Sequence, residues 1–461
     1  MQLTRWVFVF FALLIPFFAC ITHPEKAVAG EHRSMNYDSQ ALPFQRDSRM
    51  NSSQDSLFVE PVGTLKLGEA LSAALERNPE LRAFSWEVRA RVANALQEGL
   101  IPNPEIGLEV ENFGGQGEAR GFETPETTLQ LSQLIELGGK RSKRYQVASL
   151  ETTLAEWDYE TQRLNILEAT TLAFVDVVTA QEQLRLSEQT LQLSEKVFNT
   201  VKERVRAGKV SPVEETKASV TVATSLIQVQ QAKRKLTAKR KRMSAMWGSV
   251  SPRFEAAAGD LENVTPIPPA EPLDDLVKQN PDIRRWLVEM EHGQAAVDLE
   301  KARRIPNLTM SGGIRRFEET GDHAFVFGVS IPLPFFNRNQ GKIQEEQSRL
   351  AKKAKERTAM EVRTKAALTD AYESLASSYS KILILKTKIL PSAQSAFKAA
   401  DEGYQQGKFG FLDVLDAQRT LFDAQKQYLE GLAEYHKSKA RVERLIAQNL
   451  DDVMKTSQKG A

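Results

Sequence analysis

The chain has 461 residues, and its 61 Lys and Arg against 60 Asp and Glu give a net charge of +1, which gives no indication of a nucleic-acid partner. Its single cysteine leaves no internal disulfide, and its five histidines occur at no spacing typical of a metal site. Phosphate-binding loops, nucleophile elbows and paired catalytic carboxylates are not recognisable. We therefore expect neither an enzyme nor a chain that holds a cofactor or a resident metal.

The first 29 residues are typical of a secretory signal peptide. Arg5 precedes an uncharged, mainly apolar stretch from Trp6 to Thr22, and a polar region follows. The run Ala27–Ala29 is one candidate cleavage site. The alternative is a lipoprotein in which Cys20, which follows Phe17–Ala19, is acylated after cleavage. Beyond this segment no apolar run reaches about 18 residues, which excludes an inner-membrane helical protein.

An internal repeat organises the rest of the chain. Asn78–Arg82 returns as Asn280–Arg284, an offset of about 200 residues, and three further matches keep the same order. These matches are Ile101–Asn103 with Ile305–Asn307, Gly139–Lys140 with Gly341–Lys342, and Gly208–Lys209 with Gly407–Lys408. The repeat predicts a duplicated unit that consists of one helix, two strands and a pair of very long helices.

The repeat and the local composition together predict the segment boundaries. We expect a flexible N-terminal segment over 30–63, a first repeat over 64–255 and a second repeat over 273–450. The stretch 256–272 is rich in Pro and small residues, so we interpret it as the connector between the halves. The last residues, 451–461, are expected to form a disordered tail.

The predicted helices are unusually long. From Lys140 to Arg206 the chain has no Pro or Gly, and apolar residues recur at three- and four-residue steps. At about 1.5 Å per residue, such a helix would be on the order of 100 Å long. We expect further helices over Pro212–Trp247, over 342–406 with a kink or break at Pro391, and over Phe411–Ala447. Taken alone, these helices also fit a dimeric coiled coil or a stalk.

Two short segments with strand periodicity precede each pair of long helices. Apolar residues alternate with small or polar residues, as in a strand with one face in lipid, although a soluble sandwich has the same alternation. The apolar positions are Ile106, Leu108 and Val110, then Leu129 and Leu131, then Leu308, Met310 and Ile314, then Phe325, Phe327, Val329 and Ile331. Four strands cannot close a barrel, and open edges are not tolerated in lipid. Three chains with four strands each would supply a closed barrel of twelve.

The repeat and the segment Asp413–Ala417 resemble the TolC family of outer-membrane efflux proteins. Ile135–Arg141, and Val329–Pro334 followed by Asn337–Gly341, are similar to the CzcC-like branch, which contains outer-membrane factors of heavy-metal efflux. The resemblance covers about Leu65 to Ala447. It implies a mainly α-helical fold with a β-barrel part: a TolC-like homotrimeric tube with a twelve-stranded barrel in the outer membrane of a Gram-negative bacterium and an α-helical barrel in the periplasm.

The resemblance also implies a function and its partners. The tube would be the passive conduit of a tripartite efflux pump, joined through a periplasmic adaptor (membrane fusion) protein to an inner-membrane pump of the resistance-nodulation-division class. The CzcC-like branch implies divalent cations such as cobalt, zinc, cadmium or nickel as the cargo. Two alternatives stay open. One is a conduit for drugs or for type I secretion, and the other is a periplasmic coiled-coil stalk without a pore.

By this resemblance, the entrance of the tube lies at two hairpin tips, formed by Gly208, Lys209, Gly407 and Lys408. The positions that match the family's gate are Asp413 and Asp416 as an inner pair of acids, Glu214 as an outer acid, and Tyr404 as part of the closing network. In a trimer, Asp413 and Asp416 would form two rings of negative charge that favour cations.

Two observations leave alternatives open at this gate. Phe409 stands where the family can have an arginine that bridges to neighbouring acids, so the gate here could close by apolar packing instead. Asp413 and Glu214 are also typical of acids in the first turn of a helix, where they interact favourably with the helix dipole.

Four basic residues begin the first long helix, near the expected junction of barrel and rod: Lys140, Arg141, Lys143 and Arg144. Bases at a helix N-terminus oppose the helix dipole, so local helix energetics do not explain them. One interpretation is contact with anionic lipid headgroups at the inner leaflet. The other is a solvated basic collar.

Overall fold

The computed structural model describes residues 59–117, 121 and 124–459; the predicted signal peptide, Cys20 and residues 30–58 of the expected flexible segment lie outside these residues. The chain contains the predicted duplication. The first repeat consists of β1 (Gly63–Lys66), α1 (Leu67–Arg77), α2 (Pro79–Glu98), β2 (Glu105–Glu111), β3 (Glu126–Ile135), α3 (Lys140–Arg206), α4 (Pro212–Ala245) and β4 (Phe254–Ala258). The second repeat consists of α5 (Glu271–Leu276), α6 (Pro281–Ala302), β5 (Leu308–Phe317), β6 (His323–Ser330), α7 (Gln340–Ile384), α8 (Leu390–Gln405) and α9 (Phe411–Ile446), and α10 (Leu450–Lys459) follows it.

A buried asparagine marks the same point in both repeats. The side-chain oxygens of Asn78 and Asn280 accept hydrogen bonds from the backbone N–H two residues on, at 2.9 and 2.8 Å. The side-chain amide of Asn78 donates to the Met246 carbonyl at 2.9 Å, and that of Asn280 donates to the Leu445 carbonyl at 2.8 Å. Asn78 therefore caps α2 and Asn280 caps α6, and each also binds the end of the last helix of its own repeat. This double role explains why the Asn-Pro pair recurs, since a proline suits the first helical position.

The four predicted strands form one antiparallel sheet in the order β2-β3-β5-β6. The pairing of β3 with β5 joins the two repeats, and β2 and β6 are the edges of this sheet. The register places four apolar residues side by side on one face, namely Leu108, Leu129, Ile314 and Phe325. Three of the residues directly beside them lie on the opposite, polar face, namely Glu109, Thr128 and Arg315. The predicted alternation is confirmed, and the apolar face is strongly exposed, with Phe325 at 77%.

The long helices lie where the periodicity predicts them. α3 is a single helix of 67 residues. α4 begins at Pro212 behind Ser211, whose hydroxyl caps the helix. Instead of a simple kink at Pro391, a π-helical turn (Leu385–Ile389) joins α7 to α8. Pro391 lies in the first turn of α8, and the wider turn before it accommodates a residue that cannot continue the α-helical hydrogen bonds. Among the helices of the described residues, none has the length and apolar composition required to cross a membrane.

The connector runs against the helices of the second repeat. Its first residues belong to β4, which pairs in parallel with β1. Further along, the Tyr435 hydroxyl donates to the Thr265 carbonyl at 2.8 Å, and the Tyr372 hydroxyl donates to the Pro268 carbonyl at 2.9 Å. The connector is thus held by side chains of α9 and α7.

The expected disordered tail is wrong for residues 451–459, which belong to α10. The Asn449 side chain accepts a hydrogen bond from the Asp451 N–H at 2.9 Å, and Lys439 forms an ion pair with Asp451 at 2.6 Å. Leu450 and Val453 are buried. The polar composition of this segment concealed an apolar pair at three-residue spacing, which is sufficient to dock one helical turn.

Candidate functional site at the helical tips and the sheet

Both hairpin tips turn through a glycine in the left-handed region. Gly208 has a φ of 67° and Gly407 a φ of 76°. The lysine that follows each glycine donates its backbone N–H to the carbonyl five residues earlier, Lys209 to Arg204 at 2.9 Å and Lys408 to Gly403 at 2.8 Å. This helix-ending motif favours a residue without a Cβ at its left-handed position. The structure thus places all four predicted tip residues at the two turns, with both lysine side chains exposed.

Tyr404 lies at the centre of the contact between the two hairpins. Its side chain is only 2% exposed, and its hydroxyl donates to Glu214 Oε2 at 3.1 Å. Arg204 donates from Nη1 to the Tyr404 carbonyl, and its guanidinium carbon lies 4.4 Å from the centroid of the tyrosine ring. Burial, together with the charge of Glu214, raises the pKa of Tyr404 to about 12. The hydroxyl therefore stays protonated, and remains a donor, at neutral pH.

Apolar side chains from four helices surround this polar contact. The Tyr404 and Phe411 rings lie with their centroids 5.9 Å apart. The other buried members of the cluster are Val197, Val201, Ala218, Ala400 and Val414. Because α3, α4, α8 and α9 all contribute, the two hairpins form one packed unit at this level rather than two independent arms.

The three predicted gate acids have different environments. Asp413 Oδ2 accepts a hydrogen bond from the Gly410 N–H at 2.8 Å at the start of α9, so its helix-start role is present. Asp416 follows one turn later, and both carboxylates are exposed. Since residues three apart lie on the same side of a helix, α9 presents both acids on one face. Glu214, in the first turn of α4, is engaged by Tyr404 instead. The charge rings in a trimer stay a prediction.

Phe409 packs against Gly403. A Cβ added at Gly403 would overlap the phenyl ring, so the absence of a side chain there creates the space that Phe409 occupies. The ring is still 50% exposed in the single chain. Closure of the gate by apolar packing between copies stays a prediction.

The structure divides the four basic residues into two groups. Lys140 is only 7% exposed and donates from Nζ to Asn307 Oδ1, and its burial lowers its pKa. Arg144 pairs with Glu136 and with Glu98, the latter at 3.1 Å. These two residues join β3, the end of α2 and the entrance to β5, so neither is a free lipid contact nor part of a solvated collar. The expectation of lipid contact or of a solvated collar is wrong for Lys140 and Arg144, because each has an oxygen partner within the chain.

Arg141 and Lys143 belong to the second group and are partly exposed. For them, contact with lipid headgroups stays a prediction.

The polar face of the sheet contains an arginine that the sequence analysis did not single out. Arg315 pairs with Glu111 at 3.0 Å and with Glu126 at 2.9 Å, and it donates to Thr128 Oγ1 at 3.0 Å. It thereby joins β2, β3 and β5 by their side chains. Its position beside the apolar Ile314 could have placed it on the polar face, but its partners depend on the register between distant strands.

Arg204 was missed for a different reason. In the sequence it is one of two bases in the last turn of a long helix, where any base interacts favourably with the helix dipole. Only the tertiary structure brings it to Tyr404. Among the described residues, no group of three or more His, Cys, Asp or Glu side chains could hold a metal ion.

Comparison with known proteins decides the family. The family model described as outer membrane efflux protein matches residues 70–249 and 273–448, one match in each repeat. The chain belongs to the outer membrane efflux protein family. This confirms the resemblance that the sequence motifs indicated.

Relatives within the outer membrane efflux protein family include resistance proteins. The chain is 34% identical over 389 residues to the cobalt-zinc-cadmium resistance protein CzcC of Cupriavidus metallidurans, which covers 84% of this chain and 91% of that protein. It is 24% identical over 303 residues to the nickel-cobalt-cadmium resistance protein NccC of Alcaligenes xylosoxydans xylosoxydans, with 64% and 68% of the two chains covered. The fold is similar to the crystal structure of CusC, with a TM-score of 0.72 at 17% identity over 85% of this chain and 95% of that one.

Proposed function

We propose that this outer-membrane protein is the exit channel of a tripartite efflux pump, a homotrimer through which cargo passes passively. The observation that carries the proposal is the sheet. Its apolar face is exposed, its opposite face is polar, and its edge strands β2 and β6 have no further strand beside them among the residues that the structure describes. An open edge is not tolerated in lipid, so three copies that pair edge to edge would bury all edges in one barrel of twelve strands.

The long helices extend the proposed pore. α3 and the α7–α8 rod begin directly after β3 and after the segment that follows β6, so each leads away from the same end of the sheet. A helix of 67 residues at about 1.5 Å per residue is long enough, on the order of 100 Å, to carry a tube well below the membrane. The tips at Gly208 and Gly407 would be the periplasmic entrance, where an adaptor protein and an inner-membrane pump of the resistance-nodulation-division class would meet the tube.

Divalent heavy-metal cations are the proposed cargo. The relatives named for resistance to cobalt, zinc, cadmium and nickel support this choice. The paired acids of α9 also support it, because rings of carboxylates at an entrance favour cations over anions. In this proposal the metal ion is cargo that passes through the tube, and the pump supplies energy and selects the substrate.

Recording in a planar bilayer tests the proposed channel. The mature protein, purified in detergent and added to the bilayer, should give discrete conductance steps with a reversal potential that favours cations in a salt gradient. Asp413→Asn combined with Asp416→Asn should reduce that preference. A protein that stays monomeric, or inserts without conductance, would leave only the non-pore stalk.

Cargo is tested separately in cells. A strain without the protein should become sensitive to zinc, cobalt, nickel or cadmium while its tolerance of hydrophobic drugs is unchanged. The reverse pattern would favour a drug-efflux conduit, and an effect on an exported protein alone would favour type I secretion.

A further inference from the structure

A stripe of residues on α6 is buried, and the corresponding stripe on α2 is exposed. Asn78 caps α2 and Asn280 caps α6, so residues near the starts of these two helices correspond at an offset of 202, since 280 − 78 = 202. On α6 the residues Val288 and Ala295 are 8% and 5% exposed. Their counterparts on α2 at this offset are Trp86, which is 63% exposed, and Ala93, which is exposed. Leu100, which lies two residues after the end of α2, is 50% exposed.

The helices that pack against α2 and α6 explain this difference. α6 packs between α7 of its own repeat and α3 of the other repeat. In the described chain α2 packs along its length against α3 of its own repeat alone. The helix that would complete the environment of α2 is therefore the counterpart of α3 from a second repeat, which is α7 of another copy.

The sheet gives an independent indication of which parts of two copies meet. Ile135 at the end of β3 pairs with Leu308 at the start of β5. This pairing brings the turn after β3 against the segment before β5. A Cβ on Gly138 would come within 2.7 Å of Ile305 Cδ1, and Lys140 donates to Asn307. The same antiparallel pairing between β6 of one copy and β2 of the next would bring the segment after β6 against the segment before β2.

Both of those segments are apolar and exposed in the single chain. After β6, Leu333 is 69% exposed, Phe335 is 70% exposed and Phe336 is 92% exposed. Before β2, Leu100 is 50% exposed and Ile101 is 44% exposed. The symmetry of a trimer would bring these two surfaces together. Apolar side chains exposed to this extent are typical of the two sides of a subunit interface.

We propose that the segment 331–336 and the start of α7 of one copy cover Trp86 and Ala93 on α2, and Leu100 before β2, of the neighbouring copy. This subunit lock rests on the trimer of the proposed function, and it names the residues that hold the trimer together below the barrel. Lipid is the competing occupant of segment 331–336. The matching turn of the first repeat argues against lipid, because its Glu136 is engaged in an ion pair with Arg144 and its Gly138 packs on a neighbouring segment.

Cross-linking tests the contact directly. Leu100→Cys combined with Phe336→Cys, oxidised in outer membranes, should give reducible dimers and trimers. Each single variant should give no more than the wild type, because the one native cysteine, Cys20, is expected to be either removed with the signal peptide or acylated. Leu100→Cys combined with Phe327→Cys is the matched control, because Phe327 lies on the apolar face of β6 and should not reach Leu100.

The oligomeric state, measured by light scattering in detergent, separates the two ideas. Trimers that do not cross-link through Leu100→Cys and Phe336→Cys would overturn the lock and leave the channel proposal intact. A monomeric protein would overturn both.

A lipid probe gives a second readout. A fluorophore on Phe336→Cys should be quenched much less by brominated phospholipid than the same fluorophore on Phe327→Cys. Equal quenching at the two positions would assign the segment to lipid and overturn the lock.

Discussion

Tyr404 and Glu214 are 190 residues apart in the chain, and the hydroxyl of the tyrosine donates a hydrogen bond to the carboxylate of the glutamate at 3.1 Å. The contact joins the end of α8 to the first turn of α4, so it links the second hairpin to the first. It lies in an apolar cluster at the tips, where a hydrogen bond to a charged acceptor contributes more than one at the surface. Movement of one hairpin away from the other has to break it.

Tyr404→Phe removes this hydrogen bond and keeps the ring in place. We expect the contact between the hairpins to weaken by about 1.5 kcal/mol, the lower end for a bond to a charged group, which is roughly tenfold in an equilibrium constant. Single-channel recordings should then show a higher open probability than the wild type. Tyr428→Phe is the control, because the Tyr428 hydroxyl donates to Glu262 at 2.7 Å in an exposed position outside the tip cluster. Equal open probabilities for the two variants would contradict a role for Tyr404 in closure.

The same hydroxyl predicts a loss of stability in alkaline solution. Because the pKa of Tyr404 rises from 10.0 to about 12 on folding, the unfolded chain loses this proton first. The contribution of the Tyr404 hydroxyl to the stability of the fold is fully present below pH 10 and is lost as the pH rises to about 12. The difference in thermal midpoint between wild type and Tyr404→Phe should therefore shrink over this interval. A difference that stays constant would mean that the hydroxyl titrates normally.

The helices and strands could be predicted from the sequence because periodicity is a local signal. The absence of Pro and Gly between Lys140 and Arg206 was sufficient for α3, and strict alternation was sufficient for the strands. The repeat also gave their order. The π-helical turn before Pro391 was not predictable in detail, because a proline indicates that the pattern must change and not how the chain accommodates it.

The site was predictable only where one residue type acts by itself. The tip glycines follow from the left-handed turn that each must adopt. The partners of Tyr404, Lys140 and Arg315 lie on distant elements, so no local pattern could identify them. For Lys140 this led to the wrong environment, since a base at a helix start was interpreted as exposed when its partner is Asn307.

Asp176 holds three long helices together and should be important for stability. It forms ion pairs with Lys239 at 2.6 Å and with Lys437 at 2.5 Å, one on α4 and one on α9. Burial alone would raise the pKa of Asp176, but the hydrogen bonds and charges of the two lysines lower it. Asp176→Asn leaves both partly buried lysines without their counter-ion, so we expect a loss of about 3 kcal/mol in the free energy of unfolding.

The pH dependence of the wild type checks the same residue. The stability due to the Asp176 carboxylate is present above its unfolded pKa of 3.8 and is lost as the pH falls below it through the folded value. Asp275→Asn is the matched control for the substitution, because Asp275 pairs with Lys278 on an exposed surface and its loss should not be measurable. Equal thermal midpoints for the two variants would show that the three-helix contact contributes little.

The basic residues at the start of α3 should separate into structural and membrane roles. Lys140→Gln leaves Asn307 with a poorer hydrogen-bond donor in a buried position. It should therefore lower the midpoint temperature of thermal unfolding of the purified protein. Arg141→Gln combined with Lys143→Gln should leave the midpoint unchanged but lower insertion into vesicles that contain anionic lipid, by about 1 kcal/mol for each base that contacts the membrane surface. Insertion at the wild-type level would mean that these two side chains are only solvated.

Adjacent residues of β6 should respond in opposite ways to a charge if the sheet is part of a membrane barrel. Phe327 lies on the apolar face and Val326 on the polar face, because neighbouring residues of a strand point to opposite sides. Phe327→Lys places an ammonium group in lipid and should cost about 2–4 kcal/mol near the middle of the bilayer. Val326→Lys adds the same charge to the pore side, so the protein should still fold and insert, with a changed conductance. The measurement is the fraction of folded trimer recovered in vesicles, and equal recovery of the two variants would place this sheet outside the membrane.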